Sequence, residues 1–102
     1  MAFTKAHLYD ENDQITSHFA RAVFHPARIE IIRKLRTHGT CTVEELSEPH
    51  PIAQPTVSQH LGILRKAGMI TCVEKCPYTY YSLNKRMFKR FKKHLMTFLR
   101  TI

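Results

Sequence analysis

This 102-residue chain contains three cysteines, whose thiols could bind a metal ion or form a disulfide: Cys41, Cys72 and Cys76. Three thiolates would suit a soft metal ion, and two could form a redox-active disulfide. The spacing favours neither, because paired Cys-x-x-Cys units are missing and an extended strand would hold Cys72 and Cys76 about 13 Å apart. A disulfide requires Cα atoms within about 7 Å. We therefore predict no metal site, keep these thiols as the only candidates for one, and leave the pair Cys41 and Cys72 open.

A second set of side chains lies in the stretch "QPTVSQHLGILRKAG" at residues 54–68. Its apolar residues at helical spacing mark a buried face: Val57, Leu61 and Leu64. The polar residues near its start are Gln54, Thr56, Ser58 and Gln59. Amide and hydroxyl groups can bond to base edges in the DNA major groove, and the start of a helix can bind a phosphate. The alternative is an ordinary exposed polar surface.

The distribution of charge favours an anionic partner. The chain carries 16 basic and 8 acidic side chains, a net charge of +8. Residues 1–48 hold six basic and seven acidic side chains, whereas residues 49–102 hold ten basic side chains and one acidic side chain, Glu74. Segregation of this kind is typical of nucleic-acid binding and less often of binding to a membrane surface.

Four helices are expected to precede a hairpin. Residues 12–24 form the first, with Ile15, Phe19 and Ala22 on one stripe, and Pro26 begins the second. In the second helix we expect one apolar face, ending near Gly39: Ile29, Ile32 and Leu35. Thr42 and Glu45 have the spacing of a capping box that opens a third helix, which Pro49 and Pro51 should terminate. Pro55 begins the fourth helix, which runs to about Gly68.

The remainder predicts a β-hairpin and a terminal helix. From Met69 to Leu83 the pattern has a period of two, broken at Cys76-Pro77. Residues 85–102 return to a helical period, with an apolar seam that suits a partner helix: Phe88, Phe91, Leu95, Phe98 and Ile102. Two short helices followed by a hairpin predict a winged helix-turn-helix, mainly α with a small β-hairpin, whose second helix lies in the DNA major groove.

The motifs "HPARIEIIRKL", "VEEL", "PTVSQHLGILRKAGMI" and "YYSL" together resemble the ArsR-type winged-helix repressors over roughly residues 15–85. The resemblance implies a homodimer, built from the first and last helices, on an inverted-repeat operator. It places Gln54, Thr56, Ser58 and Gln59 at base-contacting positions. It leaves two roles open for His60, one in contact with DNA and one within the helix-turn-helix. In this fold a short strand near Cys41 often joins the hairpin.

The metal-binding residues of such relatives are missing here. In the arsenic-type site, the two cysteine positions before Glu45-Leu46 are Thr42 and Glu44 in this chain. The zinc-type site needs Asp, His and Glu ligands on the last helix, where only His94 is present. The segment "EKCPYTYY" also carries less positive charge than is usual for a wing. The effector therefore stays unknown, and no cofactor is expected.

These observations give a definite set of expectations. One domain spans residues 1–102, with the helix-turn-helix at about 42–68, the wing at about 69–83 and a dimerisation helix at about 85–101. The expected contacts with double-stranded DNA are Gln54, Thr56, Ser58, Gln59, His60, Arg65 and Lys75. The expected dimer contacts are Ile15, Phe19, Phe88, Phe91, Leu95 and Phe98.

Other classes of function fit less well. No signal peptide or spanning segment is visible, so we expect a cytoplasmic protein that does not bind membranes. The three glycines form no phosphate-binding loop, and no local catalytic signature is present, so an enzyme is not expected. The alternative to DNA binding is an interaction module whose basic C-terminal helix contacts a membrane surface or a protein partner.

Overall fold

A computed structural model of the protein describes residues 8–48 and 53–102. Within these ranges the elements follow in the order α1 (Glu11–Val23), α2 (Pro26–His38), β1 (Thr40–Thr42), α3 (Val43–Ser47), α4 (Gln54–Lys66), β2 (Ile70–Lys75), β3 (Tyr78–Leu83) and α5 (Lys85–Leu99). The mainly helical architecture with a small antiparallel sheet is the one expected from the sequence. The role proposed for Pro49 and Pro51 falls outside the described residues.

Local sequence signals determine where several helices begin and end. Pro26 stands in the first turn of α2, and Gly39 follows its end with a φ of 84°, a left-handed conformation that favours glycine. The predicted capping box is confirmed. Thr42 Oγ1 accepts a hydrogen bond from the Glu45 amide at 3.2 Å, and Glu45 Oε1 accepts one from the Thr42 amide at 2.8 Å. These bonds satisfy donors that the first turn of α3 would leave unpaired.

The hairpin β2–β3 gains a third strand, so that the sheet order is β1-β3-β2 and both pairings are antiparallel. β1 pairs with β3 from Thr40 opposite Ser82 to Thr42 opposite Tyr80. β1 is only three residues long and forms the edge of the sheet next to the helix-turn-helix. Because Thr42 also caps α3, the sheet and α3 are joined at a single buried residue.

The core lies between the helices and the inner face of the sheet. Its six largest fully buried side chains are Leu35, Leu46, Leu61, Leu64, Met69 and Ile70. The buried face predicted for α4 is confirmed, since Val57, Leu61 and Leu64 are at most 3% exposed. The face predicted for α2 is partly wrong. Ile29 is exposed, and the buried stripe follows the i, i+4 spacing of Ala27, Ile31 and Leu35.

α1 and α5 pack against each other within the chain, so most residues of the apolar seam of α5 contact the same protomer and are not free for a partner. Phe91 of α5 contacts Phe19 of α1 with ring centroids 5.9 Å apart, and both side chains are at most 5% exposed. Ile15, Phe88 and Leu95 pack partly buried against the same core. Of the six residues expected at a dimer interface, only Phe98 is exposed, and its exposed fraction is 40%.

Candidate nucleic-acid interface

The start of α4 presents polar side chains that make few hydrogen bonds within the described part of the chain. Gln54, Thr56, Ser58 and Gln59 are all exposed. Gln54 makes one long hydrogen bond, from Nε2 to Glu44 Oε2 at 3.5 Å. Within residues 8–48 and 53–102, no hydrogen bond engages the side chains of Thr56, Ser58 and Gln59. Their donors and acceptors are therefore available to an external partner, as base recognition requires.

The outermost line of α4 lies directly opposite its buried face. Counting 100° per residue, Gln59, Gly62 and Lys66 share this line. A Cβ added at Gly62 would meet no atom of the described structure within 4 Å. The middle of the helix is therefore narrow enough to approach another molecule closely. Lys66 is not among the contacts predicted from the sequence, although its spacing of seven residues from Gln59 places it on this line.

Arg65, which was expected to contact DNA, lies on the flank of α4, because it is about 100° from Lys66 around the helix. Its charge acts on Tyr81 in β3. Burial raises the pKa of the Tyr81 phenol, Cys72 raises it further, and Arg65 opposes that rise. An arginine near the sheet can still extend to a phosphate. Its position around α4 nevertheless separates it from the line formed by Gln59 and Lys66.

His60 occupies a position inside the motif. Its Nδ1 accepts a hydrogen bond from Arg28 Nε at 3.1 Å, and its ring packs on His25 with centroids 4.6 Å apart. His60 is half-buried where α4 packs against α2. This position fits the second role left open by the sequence, a contact within the helix-turn-helix. The sequence could not identify its partner, since Arg28 lies 32 residues earlier in the chain.

The environment of His60 should make stability depend on pH. Burial lowers the pKa of His60, and the nearby His25 and Arg28 lower it further. The unfolded chain, with a histidine pKa of about 6.5, then binds more protons than the folded chain just below that pH. Stability should therefore fall as the pH drops from 7 towards 5. In urea titrations, we expect His60→Gln to reduce this drop and His18→Gln, a change at an exposed histidine, to retain it. A full drop in His60→Gln would contradict the assignment.

The wing carries its functional candidate near the tip. Lys75 ends β2 and is exposed, and Cys76 and Pro77 form the turn before β3. Beyond Lys75, the outer face of the hairpin is built from neutral residues, including Val73 and Tyr78, both about half exposed. A wing of this composition offers one cation to a phosphate.

The register of the sheet shows whether Cys41 and Cys72 can form a disulfide. Cys41 and Cys72 both pair with Tyr81, one from each side of β3. Two strand spacings of about 4.8 Å separate them, which exceeds the reach of a disulfide. All three cysteines are free. Burial also raises the pKa of Cys41, so its reactive thiolate is disfavoured. In the described part of the chain, no group of three or more His, Cys, Asp or Glu side chains could hold a metal ion.

Comparison with known proteins places this geometry in a family. A family model described as "Bacterial regulatory protein, arsR family" matches residues 25–71, which extend from α2 to the start of β2. The transcriptional repressor SdpR of Bacillus subtilis is 30% identical over 79 residues, which cover 78% of this chain and 87% of SdpR. The HTH-type transcriptional repressor SmtB of Mycobacterium tuberculosis is 47% identical over 51 residues, half of this chain and 37% of SmtB.

Solved structures agree with this placement. A possible transcriptional regulator for arsenical resistance is similar with a TM-score of 0.72 and 26% identity, covering 76% of this chain and 80% of that protein. The transcriptional repressor BigR from Xylella fastidiosa is similar with a TM-score of 0.68 and 25% identity, covering 86% and 90% of the two chains. The chain therefore belongs to the ArsR family of bacterial regulatory proteins and has the winged helix-turn-helix fold of that family.

Proposed function

We propose that this protein is a homodimeric transcriptional repressor that binds an inverted-repeat operator through α4. The observation that carries the proposal is the exposed line of Gln59, Gly62 and Lys66, flanked by unengaged polar side chains at the start of the helix. A helix in the major groove needs small or hydrogen-bonding residues on its outer face. Residues 1–102 would act as one winged domain.

Charge supports the same partner. After Glu74 the sequence contains no carboxylate side chain, and α5 alone carries six cations: Lys85, Arg86, Lys89, Arg90, Lys92 and Lys93. Within the described residues, none of these cations forms an ion pair. Their unneutralised field would attract DNA and increase the rate of association at low ionic strength. No helix in the described ranges is both long and apolar enough to span a bilayer.

A second copy of the chain accounts for the apolar surface at the end of α5. Met96, Phe98 and Leu99 are 40–47% exposed, and Ile102 is 84% exposed. The start of α1 lies beside this end, because Asn12 Oδ1 and His94 Nδ1 are 2.6 Å apart. Leu8 and Tyr9, just before α1, are also about two-thirds exposed. Pairing α1 and α5 with their copies would cover these side chains and place two α4 helices on one DNA face, about 34 Å apart.

Selection of bound sequences from random duplex DNA tests the proposal directly. We expect an inverted repeat to be enriched, and we expect its affinity to fall steeply as salt increases, because phosphate contacts release counterions. A protein that enriches no sequence at low salt, and remains a monomer, would contradict the proposal and would favour an interaction module built on α5. Repeating the selection with thiophilic metals would test for an effector.

Base contacts and phosphate contacts should separate in two variants of α4. Gln59→Ala should cost about 1–3 kcal/mol of preference for the selected operator and leave affinity for unrelated DNA nearly unchanged. Lys66→Ala should weaken both affinities together and lower the salt dependence by about 0.9 per phosphate contact. Fluorescence anisotropy with both duplexes measures these quantities. If Gln59→Ala weakened binding to all sequences equally, Gln59 would not recognise bases.

A further inference from the structure

Arg28, the third residue of α2, makes hydrogen bonds to both α1 and α4. Its Nη1 donates hydrogen bonds to the carbonyl oxygens of Ala22 at 2.9 Å and Arg21 at 3.3 Å, at the end of α1. Its Nε donates to His60 Nδ1 on α4 at 3.1 Å. The planar guanidinium group thus connects the end of α1 to α4 through donors held in a fixed geometry.

The end of α1 leaves its carbonyls available for Arg28. The carbonyl of Ala22 would normally accept from the residue four positions later, but Pro26 has no N–H to donate. The carbonyl of Arg21 would accept from His25, whose N–H donates instead to Val23 at 2.9 Å. Arg28 supplies the missing donors, so its position is determined by the backbone of α1.

The ring of His60, which accepts the hydrogen bond from Arg28, has little freedom to rotate. It accepts from Arg28 on one edge and packs its ring on His25, which itself caps α2 by accepting from the Ala27 amide at 3.1 Å. His60 directly follows Gln59 in α4 and is flanked by the buried Val57 and Leu61. A constraint on His60 therefore constrains the rotation of α4 about its own axis.

We propose that Arg28 is a positioning residue, which fixes the rotation of α4 relative to the end of α1 and so determines where Gln59 and Ser58 reach. The inference rests on the proposed function, since it assigns how the outer line of α4 is aimed at DNA. At a helix radius of about 5–6 Å, a rotation of about 20° displaces a side chain by about 2 Å. Displacement on that scale breaks a hydrogen bond to a base edge.

Arg28→Gln and Arg36→Gln form a matched pair for testing this inference. Each removes one cation from α2, but Arg36 is exposed and its side chain makes no hydrogen bond within the described residues. Binding to the selected operator and to unrelated DNA is measured at several salt concentrations, together with the thermal midpoint and the oligomeric state. For Arg28→Gln we expect preference for the operator to fall about tenfold, within the range of one lost base contact, with an unchanged salt dependence. For Arg36→Gln we expect unchanged preference.

A double substitution tests the route through His60. If Arg28 acts through His60, Arg28→Gln combined with His60→Gln should lose no more preference than the more damaging single variant. Arg28→Lys keeps the charge but has no planar fork to bridge both helices, so it should also lose preference. This variant preserves the test if Arg28→Gln fails to fold.

Three results would overturn the inference. A salt dependence that falls by about 0.9 in Arg28→Gln would make Arg28 a phosphate contact. A lower thermal midpoint with unchanged preference, measured where the variant is fully folded, would make its role purely stabilising. Failure of the unsubstituted protein to prefer any sequence would remove the proposed function itself, and that result is distinguished because it appears before any substitution.

Discussion

Replacing Gly62 with leucine is expected to stabilise the fold and to abolish operator binding. Glycine within a helix costs about 1 kcal/mol relative to a good helix former, and leucine is such a residue. Since no described atom lies within 4 Å of the added Cβ, the larger side chain meets no steric obstacle near its attachment. If the outer line of α4 lies in the major groove, the same side chain must push the helix away from the bases. We expect affinity to fall about 100-fold or more, equivalent to about 2.7 kcal/mol.

The opposite signs of the two effects make this test specific. Thermal unfolding measures the gain in stability, and anisotropy with labelled operator measures the loss of affinity. Gly62→Ala should show a smaller loss, because one methyl group projects less far. Thr37→Leu, an exposed position on α2, controls for added apolar surface. Full operator affinity in Gly62→Leu would show that this line of α4 does not enter the groove.

Two phenylalanines of α5 should respond in different ways to substitution. Phe91 is 5% exposed and packs on Phe19 and Phe24, so Phe91→Ala should destabilise the protomer by about 3–5 kcal/mol. That loss is a large part of the total stability of a small domain. Phe98 is 40% exposed, so Phe98→Glu should leave the protomer folded while placing a charge in the proposed dimer interface. We expect that variant to be monomeric and to lose operator affinity because only one α4 helix can bind.

Sedimentation equilibrium measures the association state, and circular dichroism measures the fold. Lys92→Glu serves as the control, since it alters charge more than Phe98→Glu does and lies on the exposed face of the same helix. It should remain a dimer with a changed salt dependence of DNA binding. A folded Phe98→Glu variant that still dimerises would move the interface away from the end of α5.

Features of the fold that depend on neighbouring residues could be predicted from the sequence. The capping box at Thr42 and the buried face of α4 depend on side chains three or four positions apart, and such spacings are visible without a structure. Features that depend on distant contacts could not be. The apolar seam of α5 indicates a partner helix, but its period cannot show that Phe91 packs on α1 of the same chain. The strand β1 is too short to carry a pattern of its own, and only the family resemblance, in which a short strand near Cys41 often joins the hairpin, indicates it.

In the candidate site too, features that depend on local spacing could be predicted and features that depend on distant contacts could not. The polar start of α4 could be predicted from residue types and helical spacing, and the basic second half of the chain and the hairpin that follows favoured DNA binding over an ordinary exposed surface. Lys66 is absent from the predicted contacts, although the helical period alone places it on the outer line of α4. The role of His60 depends on Arg28 and His25, which only the packing of α2 against α4 brings near. Ile29 was assigned to the wrong face because three isoleucines lie within four positions, and spacing alone does not choose among them.

Thr42 has a consequence for how the hairpin and the helix-turn-helix move relative to each other. It ends β1 opposite Tyr80 and also caps α3, and it is 7% exposed. A tilt of the hairpin must therefore carry the first helix of the motif with it. We expect the hairpin and the helical pair to approach a duplex as one stiff unit. Operators whose groove widths already match that unit should be bound preferentially, even at base pairs that no side chain touches.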